Sequence, residues 1–354
     1  MTDRSKTAVV LFNLGGPDKE ASIRPFLYNL FNDPAILSVP RVIRPLLAWI
    51  ISTRRAPKAA EIYRHLGGRS PLLENTEAQA RALQSALGDG AQVRVFIAMR
   101  YWHPMADETA AAVAAWNPDR IVLLPLYPQW SMSTTGSSFQ DWRRACRRIG
   151  LERPTSSVCC YPVEPGFVGA LAGAIRKGLD AFTGIGRPRV LFSAHGLPRR
   201  MIEKGDPYQW QCEQTAAAVA AAVGGSDLDW LNCYQSRVGP LEWIGPYTDA
   251  EIERAGRDGV PVVMVPIAFV SEHSETLVEL DIEYRALAAQ CGVPAYLRIA
   301  TVGVTPTFID GLARLVRETA EKGGNAGSLE PPELGVCLPN GQLCGRTASL
   351  WGKL

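Results

Sequence analysis

Short, continuously apolar runs rich in Val, Ile and Leu alternate along this chain with longer segments whose apolar positions recur at helical spacing. No other feature constrains the fold as much. The runs lie at residues 8–14, 93–99, 120–127, 189–194, 230–233 and 260–269 and predict strands. The segments between them, among them 74–87, 105–116, 166–182, 207–223 and 273–290, predict helices. A strand that is apolar throughout needs cover on both faces, and parallel sheets obtain it from crossover helices. The expected class is therefore α/β, and 354 residues are too many for one ordinary core, so two such units are expected.

An internal echo supports the division. The run at 8–14 leads into Gly15-Gly16-Pro17, and the run at 189–194 leads into His195-Gly196-Leu197-Pro198. Each reads as a buried strand, a tight turn and then a helix. The expected domains are 1–163 and 164–322, followed by a Pro- and Gly-rich linker and a Cys-containing tail over 323–354. Ligands of open α/β sheets bind beyond the carboxyl ends of the strands, so both turns should face the working cleft.

Several classes are excluded. A net charge of +2, from 37 basic and 35 acidic side chains, leaves no electrostatic footprint for nucleic acid. No apolar run approaches the roughly 20 residues that span a bilayer, and the polar N-terminus lacks a signal-peptide pattern, so a cytoplasmic protein is expected. No G-x-G-x-x-G or P-loop lysine pattern is present, which argues against a nucleotide cofactor. The segment 36–55 stands apart. It gathers Ile36, Leu37, Val39, Val42, Ile43, Leu46, Leu47, Trp49, Ile50 and Ile51 before Arg54-Arg55. It reads either as a core helix or as an amphipathic lip touching a membrane surface from the cytoplasmic side.

Four histidines occur, and two sit where chemistry is expected. His195 directly follows a buried strand, held by Gly196 and Pro198. His273 opens a segment in which Glu275, Glu279 and Glu283 follow at i, i+4 and i+8, on one face of a helix. Ser274, Asp281 and Arg285 form a second polar stripe, with apolar residues between the two. A solvated face is the ordinary explanation of such a row, but two polar stripes imply partial burial. Like charges at this spacing repel, so a buried row needs protons, cations or water. Carboxylates and imidazole bind Fe²⁺ without the soft thiolates that would retain it. Of eight cysteines, the adjacent Cys159 and Cys160 and the tail pair Cys337 and Cys344 suggest metal ligation more than the rest.

In order, the chain carries Asn13-Leu14-Gly15-Gly16-Pro17, Tyr63-Arg64-His65-Leu66-Gly67-Gly68-Arg69-Ser70-Pro71, Arg100-Tyr101-Trp102-His103-Pro104 and Tyr127-Pro128-Gln129. Ser133-Thr134-Thr135-Gly136-Ser137-Ser138, Ser193-Ala194-His195-Gly196-Leu197-Pro198, Gly205-Asp206-Pro207-Tyr208 and Gln235-Ser236-Arg237-Val238-Gly239-Pro240 with Trp243 follow, then the glutamate row. This ordered set, from about residue 9 to 305, resembles the ferrochelatase family. The resemblance implies two Rossmann-like domains, each a parallel sheet flanked by helices, with a porphyrin cleft between them. It implies insertion of Fe²⁺ into protoporphyrin IX to form protohaem, with loss of two protons.

On that resemblance, His195 and Glu275 hold iron or accept pyrrole protons, with the two roles left open between them, and His273, Glu279 and Glu283 form a proton or metal path. Leu14, Leu30, Phe31, Ile36, Tyr63 and Trp243 line the macrocycle. Arg55, Tyr127 and Ser133 lie near its propionates, and Arg100 and Tyr101 lie on the opposite wall. Glu272 stands where some relatives carry Asp. Some members hold a [2Fe-2S] cluster, but the mid-chain cysteine ligand of animal members falls on Met132 here. Cys159, Cys160, Cys337 and Cys344 would then be the ligands, with free thiols as the alternative. A chelatase for coproporphyrin or another metal, and a non-catalytic tetrapyrrole or metal carrier, remain as alternative functions.

Overall fold

The computed structural model describes residues 5–88, 92–224, 227–237, 239 and 241–321. The expected tail, with Cys337 and Cys344, lies outside the described residues. The chain divides into two compact units. Among the described residues, one holds those up to Cys160 together with 312–321, and the other is the described part of Tyr161–Gly311.

In the first unit the described strands are β1 (Thr7–Asn13), β2 (Val93–Met99), β3 (Arg120–Pro125) and β4 (Thr155–Ser157), all parallel in the order β2-β1-β3-β4. β1 is buried along its whole length, as a central strand covered on both faces must be. Ala8, Val10 and Phe12 of β1 face Ile121 and Leu123 in a core that also takes Phe139 and Trp142. The helices are α1 (Ile23–Phe31), α2 (Arg44–Arg64), α3 (Leu72–Leu87), α4 (Ala106–Trp116) and α5 (Ser137–Ile149).

The second unit repeats the plan. β5 (Arg189–His195), β6 (Trp230–Gln235), β7 (Val262–Pro266) and β8 (Tyr296–Arg298) run parallel in the order β6-β5-β7-β8. Its helices are α6 (Pro165–Leu179), α7 (Arg199–Glu203), α8 (Tyr208–Val223), α9 (Thr248–Asp258) and α10 (Tyr284–Gln290), and α11 (Pro306–Glu321) begins in this unit. The echo in the sequence is thus a repeated strand order, and the α/β expectation holds for both units.

Three sequence expectations need correction. The strand expected over 260–269 is trimmed to Val262–Pro266, because Pro261 and Pro266 offer no N–H to a ladder. The core-helix reading of 36–55 fails. Helix α2 starts only at Arg44 and buries Ala48, Ser52 and Tyr63, while Val42, Ile43, Leu46 and Trp49 are exposed. The helix expected over 273–290 is π-helical from Glu275 to Glu283 and becomes α-helical only from Tyr284. Among the described residues no helix is long and apolar enough to cross a membrane.

Candidate active site

β5 delivers His195 to the carboxyl edge of the second sheet, beside Gln235 at the end of β6. Gly196 must follow. A Cβ there would lie 2.9 Å from the Gln235 carbonyl oxygen and 3.1 Å from the Trp243 ring, closer than a side chain can sit against backbone. The Nδ1 of His195 lies 2.6 Å from the Gly196 carbonyl oxygen. A carbonyl oxygen only accepts, so in the neutral ring Nδ1 carries the hydrogen and Nε2 keeps its lone pair. That Nε2 lies 3.9 Å from Oε1 of Glu275, and the two side chains are 34% and 29% exposed, open enough for a substrate to reach. Trp243 packs against the imidazole with ring centroids 6.4 Å apart.

His273 repeats the arrangement from the other side. Its buried ring places Nδ1 3.1 Å from the Ser271 carbonyl oxygen and Nε2 3.6 Å from Oε2 of Glu275. Glu275 therefore sits between two ring nitrogens that, in neutral rings, present lone pairs to it. Acceptor against acceptor is repulsive, so the arrangement needs a proton or a cation to be complete. Burial works against the Glu275 charge, but once the two imidazoles are protonated the His195 charge and the hydrogen bond and charge of His273 outweigh it and hold the carboxyl down to about 2.

Glu279, one turn on, is pushed the other way, by burial and then by the Glu275 charge. It is also gripped. The Ser236 N–H donates to Oε1 at 2.9 Å, Tyr284 OH donates to the same oxygen at 3.3 Å, and the Ser236 hydroxyl and Gln235 Nε2 donate to Oε2. Gln235 is oriented by Ser193, whose hydroxyl donates to its Oε1 at 2.8 Å. Ser236 holds φ at +64°, a left-handed backbone that costs a residue with a Cβ about 1–2 kcal/mol. That conformation aims its N–H at the carboxylate. Glu283 is exposed and is not gathered with the others.

The remaining expected site residues lie in the first unit. Leu14, Leu30, Phe31, Ile36, Tyr63 and Tyr101 share one apolar cluster, in which Leu14, Leu30, Phe31 and Ile36 stay partly exposed. Arg55 is exposed, with its guanidinium 5.6 Å from the Phe31 centroid. Three motifs distant in sequence converge here. Arg100 and Tyr101 donate their N–H groups to the carbonyls of Asn13 and Leu14, and Ser70 donates to that of Pro17. Ser133 lies in a π-helical turn, Met132–Gly136, its hydroxyl 2.9 Å from that of Ser131. Tyr127 is part of the core, where burial raises its phenol. Cys159 and Cys160 are buried and not in a disulfide.

Residues 6–320 match the family model described as Ferrochelatase. The chain belongs to the ferrochelatase family. Proteins named Ferrochelatase from Caulobacter vibrioides and Phenylobacterium zucineum are each 54% identical to it, covering 90% and 91% of this chain and 91% and 93% of their own. One from Pelagibacter ubique is 45% identical, covering 96% of this chain and 98% of its own. Among solved structures, SirB from Bacillus subtilis with Fe³⁺ superposes with a TM-score of 0.51 at 15% identity, covering 89% of this chain and 96% of that one. The sirohydrochlorin chelatase SirB with cobalt, from Bacillus subtilis subspecies spizizenii, gives 0.52 at 13% identity, covering 90% and 96%. These two likenesses concern the fold.

Sequence reasoning assigned no role to Asp33, Ser236 or Tyr284. Asp33 is buried and accepts from Arg100 Nη2 at 2.7 Å, from Tyr101 OH at 2.8 Å and from the Ser137 hydroxyl. Among the described residues no group of three or more His, Cys, Asp or Glu side chains is drawn together as a metal-binding cluster.

Proposed function

We propose that this chain inserts ferrous iron into a porphyrin to make haem, with protoporphyrin IX as the ring. Family membership supports the reaction. The observation that carries the assignment of residues is the pair of carboxylates with opposed environments, Glu275 held ionised and Glu279 held toward protonation, beside the exposed Nε2 of His195. Groups pushed apart in this way divide acid, base and electrostatic roles between them.

The reaction exchanges two pyrrole N–H protons for one Fe²⁺, so charge balances when both protons leave. A carboxyl held near 2 is a poor base, so Glu275 serves as the fixed anion that meets the metal and steadies a cationic ring. His195, with the Nε2 lone pair at the sheet edge, takes each of the two pyrrole protons in turn. His273 and Glu279 receive it next. Two protein donors suffice for a metal in transit, because the porphyrin nitrogens become its final ligands.

The partly exposed Leu14, Leu30, Phe31 and Ile36 suit a flat apolar macrocycle, as does Trp243 beside His195. Arg55 suits a propionate better than Arg100, whose guanidinium is engaged by Asp33 and, at 3.7 Å, by Asp141. The exposed Val42, Ile43, Leu46 and Trp49 support peripheral contact with a membrane surface. A [2Fe-2S] cluster would draw on Cys159 and Cys160, which are buried and not in a disulfide, together with Cys337 and Cys344, which lie outside the described residues.

Anaerobic mixing of the protein with Fe²⁺ and protoporphyrin IX, followed by loss of porphyrin fluorescence, tests the reading. Turnover that disappears in folded His195→Ala supports it. Faster turnover with coproporphyrin would reassign the ring, and tight binding without turnover of either would make the chain a carrier. A visible spectrum of the purified protein reports a cluster directly.

A further inference from the structure

The π-helical segment that bears Glu275 and Glu279 is held from outside by one short edge strand. β8 pairs with β7 through Val262–Tyr296, Val263–Leu297 and Met264–Arg298, which ties it to the sheet. From there Arg298 reaches Glu272 Oε1 at 2.8 Å through Nη1, and Asp281 Oδ2 at 3.0 and 3.1 Å through Nη2 and Nε. Its side chain is 8% exposed. Glu272 precedes Glu275 by three residues and Asp281 follows Glu279 by two, so the guanidinium grips the segment on either side of both carboxylates. Neighbouring contacts reinforce the grip. Tyr296 OH donates to the Leu280 carbonyl, Thr301 N–H donates to Glu272 Oε1, and Arg285 joins the Tyr296 carbonyl to Asp281.

We propose that Arg298 is a positioning residue for metal insertion: bridging Glu272 and Asp281, it fixes the register of the π-helical segment and so the placement of Glu275 and Glu279. This rests on the assignment of Glu275 to the reaction. The planar fork of an arginine serves two carboxylates at once, whereas a lysine is a point charge that satisfies one. Outer partners of metal-handling side chains characteristically affect metal affinity or activity by about 10–100-fold.

The test compares Arg298→Met, Arg298→Lys, Arg298→Met/Glu272→Gln and Glu275→Gln for kcat, KM for Fe²⁺ and porphyrin Kd, with folding checked by near-ultraviolet circular dichroism. Arg298→Met should lower kcat about 10–100-fold and raise KM for Fe²⁺, leave porphyrin Kd within about twofold, and be partly rescued by Arg298→Lys. A purely structural role would move porphyrin Kd and thermal stability together with kcat, and that pattern overturns the proposal. The double variant also removes the Glu272 charge that Arg298 had offset, while Asp281 keeps Arg285, so it keeps the test alive where Arg298→Met does not fold. A folded double variant with the parent kcat also refutes the positioning role. Parent-like turnover in Glu275→Gln would instead sink the assignment of Glu275, an outcome distinct from failure of Arg298 alone.

Discussion

Glu275→Gln is the substitution that most directly probes the chemistry, because it keeps the side chain's shape and removes only its charge. The carboxylate lies 3.9 Å from His195 Nε2 and 3.6 Å from His273 Nε2. At an effective dielectric of 20, suited to a partly exposed site, a unit charge at the first distance steadies a protonated His195 by roughly 4 kcal/mol. Each 1.36 kcal/mol is tenfold in rate, so losing that support at the proton-transfer step should lower kcat about 10³-fold. That lies within the range of about 10²–10⁴ expected of a positioned proton acceptor. Porphyrin affinity should stay within about threefold, since the apolar side chains that suit the ring are untouched. Stopped-flow porphyrin fluorescence at saturating ring and Fe²⁺ gives kcat, and tryptophan quenching gives the ring affinity. A folded variant with kcat within tenfold of the parent would refute the electrostatic argument, as would one whose entire loss lies in porphyrin binding.

The Glu275 carboxyl is held near 2 against an ordinary 4.5. A depressed carboxyl stabilises the fold above its unfolded pKa and loses that contribution as pH falls through the folded one. While the two facing imidazoles are charged, the parent's stability margin over Glu275→Gln, at most roughly 3 kcal/mol, should thus be present above about pH 4.5 and close near pH 2. Urea melts at about pH 5.5, 4 and 2.5 check this, and a margin that widens on acidification across that range contradicts it. In the first unit, Asp33→Asn takes from the mostly buried Arg100 its 2.7 Å carboxylate partner and leaves the 3.7 Å contact to Asp141. Removing one partner of a buried pair costs about 3–5 kcal/mol, so the melting temperature of the first unit should fall by roughly 6–12 °C at the lower figure. A change under about 2 °C in a calorimetric scan would deny Asp33 its role as a hub. Leu46→Asp/Trp49→Asp should reduce flotation with anionic vesicles at least tenfold, given about 1.5–3 kcal/mol per buried side chain, while turnover without vesicles persists. Equal flotation of the parent and a folded variant would count against membrane contact by this surface.

Most of the architecture was legible because the buried interior of a parallel strand must be almost wholly apolar, and in β1, β3, β5 and β7 only Ser193 interrupts it. β4 and β8 escaped for the opposite reason. Thr155-Ser156-Ser157 and Tyr296-Leu297-Arg298 are three-residue edge strands whose pairing leaves no periodic trace. Helix type was also hidden. A four-residue spacing keeps side chains near one face at 3.6 residues per turn, and also when hydrogen bonds run i to i+5, so the row Glu275, Glu279, Glu283 cannot distinguish the two. The second polar stripe was visible in the wheel, but its partner, Arg298, comes from another element.

That last case explains why the site was only partly readable. His195 and Glu275 announce themselves locally, one after a buried strand and the other in a carboxylate row. What fixes their chemical states does not. Glu275 is held ionised by two rings 80 residues before it and two residues before it, and Glu279 is held by Ser236 and Gln235 from the end of β6. Both imidazoles are turned by backbone carbonyls, of Gly196 and Ser271, that carry no side-chain signature at all. Sequence motifs name the atoms that can react, whereas protonation and aim come from sheet register. The register that sets His195 beside Gln235 also carries Ser236 to Glu279, so one strand pairing places both the proposed base and the grip on Glu279.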